Sequence, residues 1–361
     1  MKITFLVNQF IRISGGNRGL FEYANRLSVL GHEVRWFVMP PRIKWYRMDK
    51  KWAAWSKGVE VFPPSTVDWM ENRIPIEILQ MARPGLLPEA DVFVATAWQT
   101  AQFAARLAPG AGQKFYFVQH HESIWVRDRS QADSTYRLPY RIIVISTWLK
   151  DLMKTQYNQD AQVLVTPVNR DVFYPEGRAR LTPLRVCMLH HDYDWKGYRD
   201  GIRAVQTARE AGTEVELVVF GEKLEDPAPL FRDAGFEFEY HYRPTKDHLR
   251  RVYSSSDVYL CPSWYEGLGM PAMEAMACGA ALVTTDTGGC RDYALHEETA
   301  LVSPPRDPKA LSLNLLRILR DEPLRLRLAE RGTAKVLEFD WDANCRQLAE
   351  IFQEAVRDER S

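Results

Sequence analysis

The chain has 361 residues, about twice the usual size of one domain, so two domains with separate cores are expected. Its composition, with 46% hydrophobic and 26% charged residues, excludes a disordered, collagen-like or coiled-coil protein. The formal net charge is zero, but residues 1–168 hold 21 basic and 14 acidic side chains, a net of +7, and the remainder has a net of −7. The first half is therefore suited to anionic partners.

Features of membrane insertion and export are missing from the sequence. The longest apolar runs have five or six residues, whereas roughly 20 are needed to span a bilayer. Strand-like sequence follows Met1 and Lys2 directly, without the apolar region and cleavage site of a signal peptide. The five cysteines include no Cys-x-x-Cys, so neither a disulfide framework nor a zinc site is favoured. The sequence predicts a cytoplasmic protein.

Strands and helices alternate along the first half of the chain. Apolar runs predict strands at residues 3–8, 32–38, 91–96, 114–119, 141–146 and 161–165. Helical spacing of apolar residues predicts helices at residues 18–30, 98–107 and 147–155. Strands that are apolar throughout and separated by helices are typical of a parallel sheet covered on both faces.

The same alternation starts again at Leu184. Strands are predicted at residues 184–189, 214–220, 236–240, 257–262 and 280–285, and helices at 198–210, 245–254 and 270–277. After Arg306 the chain is predicted to be helical, in segments that begin near Asp307, Glu322 and Asp340.

These patterns predict an α/β protein of two doubly wound, Rossmann-like domains that face a cleft. The first domain is predicted at residues 1–168 and the second at 184–338, joined by a proline-containing linker at 169–183. A C-terminal helix is expected at 339–361, and its return to the first domain is one option. Sheets of this kind bind ligands at the carboxyl ends of their strands.

A glycine-rich turn follows the strand at 257–262. Gly267, Gly269 and Ala272 match the dinucleotide-binding pattern G-x-G-x-x-A, with Asp286 about 20 residues later, so a nicotinamide dehydrogenase is one alternative. The pattern lies four residues beyond the strand and late in its domain, whereas the fingerprint belongs in the tight turn after a first strand. This position argues against a dehydrogenase.

Two carboxylates flank the turn and suit a nucleotide-sugar. Glu266 is in the loop and Glu274 about one turn into the helix, so they are expected on the order of 10 Å apart. Glu274 could accept both hydroxyls of a ribose, and Glu266 those of a hexose. The backbone N–H groups of the turn and helix start would face the negatively charged part of the ligand. These groups belong to Gly267, Leu268, Gly269 and Met270.

The segment from Ser263 to Gly279, SWYEGLGMPAMEAMACG, resembles the E-x7-E region of the retaining glycosyltransferases of family 4, the group 1 enzymes with the GT-B fold. The similarity extends over nearly the whole chain, through GGNRGLFEYANRLSVLGHEV from Gly15, FVQHHES from Phe117, RIIVISTWLKD from Arg141 and WKG from Trp195. The middle blocks are similar to those of bacterial cell-surface polysaccharide transferases.

The resemblance implies a hexosyltransferase that uses a nucleotide-sugar donor and a glycan, lipid-linked or small-molecule acceptor, with no metal or other cofactor and no nucleic-acid partner. It implies that Lys196 grips the donor phosphates and that His120 or His121 contacts the donor sugar. The end of the preceding strand favours His120, and Glu122 could orient either ring. Gly15 and Gly16 would allow close approach of the backbone to the ligand.

One departure from the family pattern concerns the second phosphate cation. The family has an arginine several residues before the lysine, whereas this chain has His190, His191 and Asp192 there. His191 or Arg199 could take its place. The two histidines do not suggest a metal pair, because neighbouring strand residues point to opposite faces. Two Asp-x-Asp matches, at residues 192–194 and 340–342, are no more than chance predicts among 22 aspartates.

Several functional classes therefore remain open from the sequence. The leading hypothesis is a metal-independent, retaining glycosyltransferase with His120, Glu266 and Lys196 as catalytic residues. The alternatives are a GT-B relative, such as a nucleotide-sugar 2-epimerase or a phosphorylase, a nicotinamide dehydrogenase, and a non-catalytic nucleotide-sugar-binding or scaffold protein. The sequence does not discriminate among donor bases.

Residues 40–58 combine basic and aromatic side chains. The segment holds six lysines and arginines, one aspartate, three tryptophans and a tyrosine. Such a mixture suits a membrane interface or an anionic lipid-linked glycan. Peripheral attachment to the inner face of the membrane is therefore one hypothesis, and an ordinary packed loop is the other.

Overall fold

The computed structural model describes residues 1–8, 15–40, 58–68, 70–108, 110–177 and 183–360, excluding the side chains of residues 359 and 360. It divides into two compact units. The first comprises Met1–Leu164 together with Asp342–Ser361, and the second comprises Val165–Trp341. Each unit is an α/β structure with a largely parallel sheet, so the predicted fold class is confirmed.

The first unit contains an eight-stranded sheet of order β3-β4-β2-β1-β5-β6-β7-β8, in which only the edge strand β3 is antiparallel to its neighbour. Its strands are β1 (Lys2–Val7), β2 (Glu33–Val38), β3 (Val59–Phe62), β4 (Ile76–Leu79), β5 (Val92–Ala95), β6 (Gln113–Val118), β7 (Arg141–Val144) and β8 (Ala161–Val163). The accompanying helices are α1 (Gly15–Val29), α2 (Trp98–Ala104), α3 (Arg129–Thr135) and α4 (Thr147–Tyr157). Short 3-10 turns occupy Pro64–Thr66, Pro84–Leu86 and Glu122–Ile124.

The second unit contains a six-stranded parallel sheet of order β11-β10-β9-β12-β13-β14, the order of a doubly wound dinucleotide-binding sheet. Its strands are β9 (Leu184–His190), β10 (Val215–Gly221), β11 (Glu239–Tyr242), β12 (Val258–Cys261), β13 (Ala281–Thr285) and β14 (Ala300–Ser303). Its helices are α5 (Tyr198–Glu210), α6 (Ala228–Ala234), α7 (Lys246–Ser254), α8 (Met270–Ala277), α9 (Pro308–Arg320) and α10 (Glu322–Val336). Two 3-10 turns lie at Asp194–Lys196 and Gly289–Asp292.

The last helix, α11 (Trp341–Arg360), belongs to the first unit from Asp342 onward. The ring of Phe352, which is fully buried, packs against Phe115 of β6 with centroids 4.7 Å apart. Asn344 donates a hydrogen bond to the hydroxyl of Tyr23 at 3.2 Å. Contacts of this kind account for the assignment of the C-terminal helix to the first unit, which the sequence left as one option.

The predicted linker differs from the observed division. The second unit begins at Val165, and part of residues 169–177 packs on it: the side chain of Phe173 is 1% exposed, and Glu176 accepts a hydrogen bond from Arg250 at 2.8 Å. Residues 178–182 of the predicted linker lie outside the described residues. The prolines that suggested a linker therefore belong partly to chain that is packed on the second unit.

Several further elements were missed or displaced. β3, β4, β14, α3 and α6 were not predicted, because each has only four to seven residues and a weak period. The strand expected at 236–240 begins at Glu239, because α6 ends at Ala234 with the left-handed Gly235 as its C-cap, and Phe238 packs against Phe231 before the strand starts. None of the helices in the described ranges combines the length and apolar character needed to cross a bilayer.

Candidate active site

A pocket lies in the second unit beside the carboxyl ends of the central strands β9 and β12. Its empty volume, including the part open to solvent, is about 300 Å³. Its lining includes Lys196, Cys261, Ser263, Glu266, Gly269 and Pro271. Its position is the one expected for a ligand site in a doubly wound sheet.

The side chains of Lys196 and Glu266 form an ion pair at this pocket. Nζ of Lys196 lies 2.8 Å from Oε1 and 2.9 Å from Oε2 of Glu266. The two side chains are only 19% and 11% exposed. Burial acts to lower the pKa of Lys196, but the charge and hydrogen bonds of Glu266 outweigh it, and the pKa is raised. The lysine therefore remains an ammonium group.

The turn that carries Lys196 depends on Gly197. This glycine has φ of 62°, ends the 3-10 turn and forms the N-cap of α5. A Cβ atom there would lie 2.0 Å from the carbonyl oxygen of Pro262, which follows β12. The N–H of Trp264 donates to the carbonyl of Trp195 at 2.6 Å. The turn after β9 is thereby held against the chain that follows β12.

The glycine-rich turn is fixed from the next strand connection. The N–H of Glu266 donates to the carbonyl of Thr287 at 3.1 Å, and the hydroxyl of Tyr293 donates to the carbonyl of Leu268 at 3.0 Å. Gly269 has φ of 93°, and a Cβ atom there would lie 2.6 Å from the Tyr293 hydroxyl. A glycine is therefore required at position 269 by both backbone conformation and space.

Helix α8 begins where this turn ends. Gly269 is its N-cap without a side-chain cap, and a proline stands in its first turn. Pro271 has no N–H, and the N–H groups of Ala272 and Met273 donate to the carbonyl of Gly269 at 3.0 and 3.4 Å, so the start of α8 offers an anion the positive end of the helix dipole and the N–H of Met270. The anion contacts expected at residues 267–270 stay a prediction. Glu274 lies in the second turn with its side chain 4% exposed. Burial is the main cause that raises the pKa of Tyr253, and the charge of Glu274 is the second.

Neither His190, the last residue of β9, nor His191 supplies a second cation at neutral pH, because the pKa of each is lowered. His190 is buried with its ring edge-on to Tyr198 at 4.8 Å. The pKa of His191 is lowered to about 4, mainly by burial and further by the charge of Lys196. His191 is therefore neutral at neutral pH. The other replacement considered, Arg199, is exposed in the first turn of α5.

In the first unit, the two histidines after β6 have different surroundings. His120 is exposed, and its ring lies edge-on to Trp125 with centroids 5.6 Å apart. His121 is less exposed, and its Nε2 lies 2.7 Å from the hydroxyl of Tyr157. The predicted orienting role of Glu122 is wrong, because its carboxylate instead accepts hydrogen bonds from the Trp98 N–H and the Tyr116 hydroxyl at 2.8 and 2.5 Å.

Gly15 and Gly16 form the first residues of α1. A Cβ atom on Gly16 would lie 2.6 Å from Oε1 of Gln119, just after β6. The start of α1 and the end of β6 are thus in close contact within the first unit. The loop at residues 9–14, which precedes these glycines, lies outside the described residues.

Sequence reasoning missed several residues around the pocket. Thr287 and Tyr293 hold the glycine-rich turn, and the guanidinium of Arg306 lies over the ring of Trp264, 4.4 Å from its centroid. The indole N–H of Trp264 donates to Asp200 at 2.7 Å. These residues belong to no sequence motif with a fixed spacing, so the sequence alone gave no signal for them. Within the described ranges, no group of three or more His, Cys, Asp or Glu side chains could hold a metal ion.

Comparison with known proteins identifies the second unit. A family model described as "Glycosyl transferases group 1" matches residues 170–335. The second unit is a group 1 glycosyltransferase domain. The group 1 domain therefore contains the ion pair, the glycine-rich turn and the pocket described above.

Relatives and solved structures extend the comparison beyond the group 1 domain. The chain is 27% identical over 263 residues to the O-antigen biosynthesis protein RfbC of Myxococcus xanthus, which covers 72% of this chain but only 20% of that protein. Its fold is similar to sucrose-phosphate synthase from Thermosynechococcus elongatus, with a TM-score of 0.76, 17% identity and coverage of 98% and 99% of the two chains. It is also similar to HepE of Anabaena, solved in complex with UDP and glucose, with a TM-score of 0.73, 15% identity and coverage of 98% and 100%. The predicted GT-B fold class is confirmed.

Proposed function

We propose that this chain is a metal-independent, retaining glycosyltransferase that moves a sugar from a nucleotide-sugar to a hydroxyl of a glycan, lipid-linked or small-molecule acceptor. The observation that carries the proposal is the Lys196–Glu266 pair at a pocket beside the start of α8, within a group 1 domain. The ammonium group and the helix N-terminus suit the phosphates of a nucleotide-sugar, and the carboxylates suit its hydroxyls.

Different residues would bind the diphosphate, the ribose and the sugar of the donor. Lys196 and the N–H groups of Gly267, Leu268, Gly269 and Met270 would bind the diphosphate, while Glu274 would accept ribose hydroxyls and Glu266 sugar hydroxyls. From the first unit, the family resemblance adds contacts from Gly15, Gly16, His120 and His121. Support comes from the small exposure of Lys196 and Glu266, since charged groups interact more strongly where water is excluded.

The chemistry follows from the charge that develops. The bond between the anomeric carbon and the diphosphate oxygen breaks, and its electron pair leaves with the nucleoside diphosphate. The acceptor oxygen bonds to the same carbon, and its proton passes to the departing diphosphate oxygen, directly or through water. Lys196 and the N–H groups at the start of α8 would stabilise the leaving charge, which is the role a cation plays in metal-dependent transferases. Retention of configuration is inferred from the family resemblance.

An assay of nucleotide release tests the proposal. The full chain is incubated with UDP-, GDP-, ADP- and dTDP-sugars, with and without a bacterial glycan or lipid-linked acceptor mixture, and free nucleoside diphosphate is measured. We expect acceptor-dependent release from one donor class. A non-catalytic binding protein would release none, and a 2-epimerase would convert the sugar without an acceptor. None of the proteins named above is a 2-epimerase, so the transferase is preferred.

Metal independence is tested in the same assay. We expect the release rate to be unchanged in excess EDTA, because the ammonium of Lys196 and the start of α8 take the place of a cation. Loss of activity in EDTA that Mg²⁺ or Mn²⁺ restores would contradict this part of the proposal.

Peripheral membrane contact on the cytoplasmic side is part of the same proposal. It rests on the composition of residues 40–58, of which residues 41–57 lie outside the described residues. Basic residues near an anionic surface contribute up to about 1 kcal/mol each. We expect co-sedimentation with phosphatidylglycerol vesicles that falls at high salt and on charge reversal of Lys50 and Lys51. Equal binding to neutral and anionic vesicles would contradict attachment through this segment.

A further inference from the structure

Arg306 has an unusual backbone conformation in the connection between β14 and α9. Its φ is 60°, and only three other non-glycine residues in the described ranges have a positive φ. A left-handed backbone is unfavourable for residues other than glycine, and residues held in it cluster at functional sites. The conformation of Arg306 therefore requires an interaction that offsets it.

The side chain of Arg306 lies on two aromatic rings. Its guanidinium carbon is 4.4 Å from the ring centroid of Trp264 and 5.9 Å from that of Tyr265. A guanidinium above an aromatic face is attracted electrostatically by the ring. Arg306 is otherwise exposed. The ring contact is therefore the interaction that its left-handed backbone makes possible.

Trp264 joins three connections at the carboxyl end of the sheet in the second unit. Its indole N–H donates to Asp200 of α5 at 2.7 Å, and its backbone N–H donates to the carbonyl of Trp195 at 2.6 Å. Arg306 covers its ring from the connection after β14. Trp264 itself belongs to the connection after β12. One tryptophan thus ties together the connections that follow β9, β12 and β14.

The residues tied in this way are neighbours of the ion pair at the pocket. Trp195 directly precedes Lys196, and Trp264 lies two positions before Glu266. On its own backbone, Glu266 is held by the hydrogen bond from its N–H to the carbonyl of Thr287 at 3.1 Å. A functional side chain keeps its geometry when the residues around it are locked by packing and hydrogen bonds. Trp264 is therefore placed to set the position of Glu266 relative to Lys196.

We propose that Arg306 and Asp200 are positioning residues that act through Trp264 to hold Glu266 in place for turnover of the donor. Arg306 holds the face of the indole ring and Asp200 holds its N–H edge. The inference rests on the proposed function, because that function assigns the donor sugar to Glu266. It adds to the site a connection, after β14, that lies outside the glycine-rich turn.

Two variants of Arg306 separate positioning from stability. Arg306→Gly removes the ring contact and relieves the left-handed backbone, so its denaturation midpoint should stay close to that of the wild type. Arg306→Lys keeps both a cation and the backbone strain. In the nucleotide-release assay, kcat should fall about 3- to 10-fold in Arg306→Gly, the range of one cation–π contact, and less in Arg306→Lys. Binding of the nucleoside diphosphate should change less than about 2-fold in both.

A merely structural role gives a different order. Activity would then follow the denaturation midpoint in the two variants, and this result would overturn the proposal. Equal kcat in the wild type and Arg306→Gly would overturn it as well.

The interaction of Lys196 with Glu266 tests the positioning without a donor. A double-mutant cycle of Lys196→Met and Glu266→Gln is measured by denaturant unfolding in the wild type, in Arg306→Gly and in Asp200→Ala. We expect the coupling to fall to about half or less in both backgrounds, because the carboxylate is no longer held against the ammonium group. An unchanged coupling would overturn the proposal.

Glu297 provides a matched control. It also has a positive φ, of 63°, and its exposed carboxylate pairs with Arg317. Glu297→Gly relieves the same kind of backbone strain and removes a charged contact without touching Trp264. We expect kcat and the Lys196–Glu266 coupling to be unchanged. A fall as large as that of Arg306→Gly would show a general effect of altered loops and would overturn the proposal.

The two sets of measurements keep this inference distinct from the proposed function. Absence of transfer by the wild type would count against the proposed function alone. The coupling of Lys196 and Glu266, which needs no donor, would still decide whether Arg306 and Asp200 hold Glu266 in place.

Discussion

The ammonium of Lys196 is shared almost equally by the two carboxylate oxygens of Glu266, at 2.8 and 2.9 Å, although the residues lie 70 positions apart in the chain. The group proposed to bind the donor phosphates is thus paired with a carboxylate. If the proposed roles are right, a bound diphosphate competes with Glu266 for Lys196, and carboxylate oxygens become available for sugar hydroxyls. The proposed function then links phosphate binding to recognition of the sugar.

A double-mutant cycle tests the energy of this pair. We expect Lys196→Met and Glu266→Gln each to lower the free energy of unfolding, because each leaves a largely buried charge without its partner, and the double variant to recover part of the loss. The coupling should be about 1 to 3 kcal/mol by denaturant unfolding. Nucleotide release should be lost in Lys196→Met and in the double variant.

The exposed pair Arg203–Glu210, with side chains 60% and 64% exposed, provides the control for that cycle. Arg203→Met and Glu210→Gln should show a coupling of less than about 0.5 kcal/mol, because solvent screens the charges. Equal coupling in the two cycles would show that burial adds nothing to the Lys196–Glu266 interaction.

Glu274 and Glu266 should affect ligand binding differently. We expect Glu274→Ala to weaken binding of the matching nucleoside diphosphate about 10- to 100-fold, because strong hydrogen bonds to ribose hydroxyls are lost. Glu266→Gln should reduce turnover with a smaller effect on nucleoside diphosphate binding. Titration of folded variants with UDP, GDP, ADP and dTDP measures both effects. Equal weakening by the two substitutions would contradict the assigned roles.

Gly197→Ala should disturb the turn that carries Lys196. A methyl group would meet the Pro262 carbonyl, and the backbone is left-handed. We expect a loss of stability of roughly 2 to 4 kcal/mol, the sum of backbone strain and overpacking. Gly212→Ala is the matched control, because Gly212 has φ of 75° with open space around it. It should cost only about 1 to 2 kcal/mol, and an equal cost at both positions would exclude the steric contribution.

Glu122 should make stability depend on pH. Burial raises its pKa from 4.5 to about 7, and the hydrogen bonds from Tyr116 and Trp98 offset this only in part. The folded protein therefore binds this proton more tightly than the unfolded chain, and stability falls as pH rises from about 4.5 to about 7. When the pH is raised from 5.5 to 8, the free energy of unfolding of Glu122→Gln should fall by about 2 kcal/mol less than that of the wild type, as measured by denaturant unfolding. Parallel pH profiles would contradict the raised pKa.

The sequence predicted the central elements of the second unit well. β9 has an apolar, buried centre at residues 186–188, and β12 is buried throughout. α5 and α8 were predicted with the observed bounds, because their periodic patterns agree with capping glycines and with Pro271. The glycine-rich turn was also placed correctly after β12. Such local signals are sufficient where a strand, a turn and a helix follow one another in the chain.

Pairings between distant segments could not be predicted. Glu266 was assigned to sugar hydroxyls and Lys196 to phosphates, but nothing in their spacing indicated that they bind each other. Glu122, expected to orient a histidine, instead accepts from Trp98 and Tyr116, and the hydroxyl beside His121 is that of Tyr157, 36 residues away. Periodicity specifies which face of an element is buried, whereas these contacts depend on how strands are ordered in the sheet.

The return of α11 to the first unit has a consequence for synthesis on the ribosome. Phe115 and Tyr23 acquire their partners Phe352 and Asn344 only after the group 1 domain has been translated. The group 1 domain can complete its own sheet earlier, while the first unit must wait with an unfilled apolar surface. The order of folding is thus expected to be the reverse of the order in which the two units begin to emerge, and truncation before Asp342 should expose that surface to chaperones.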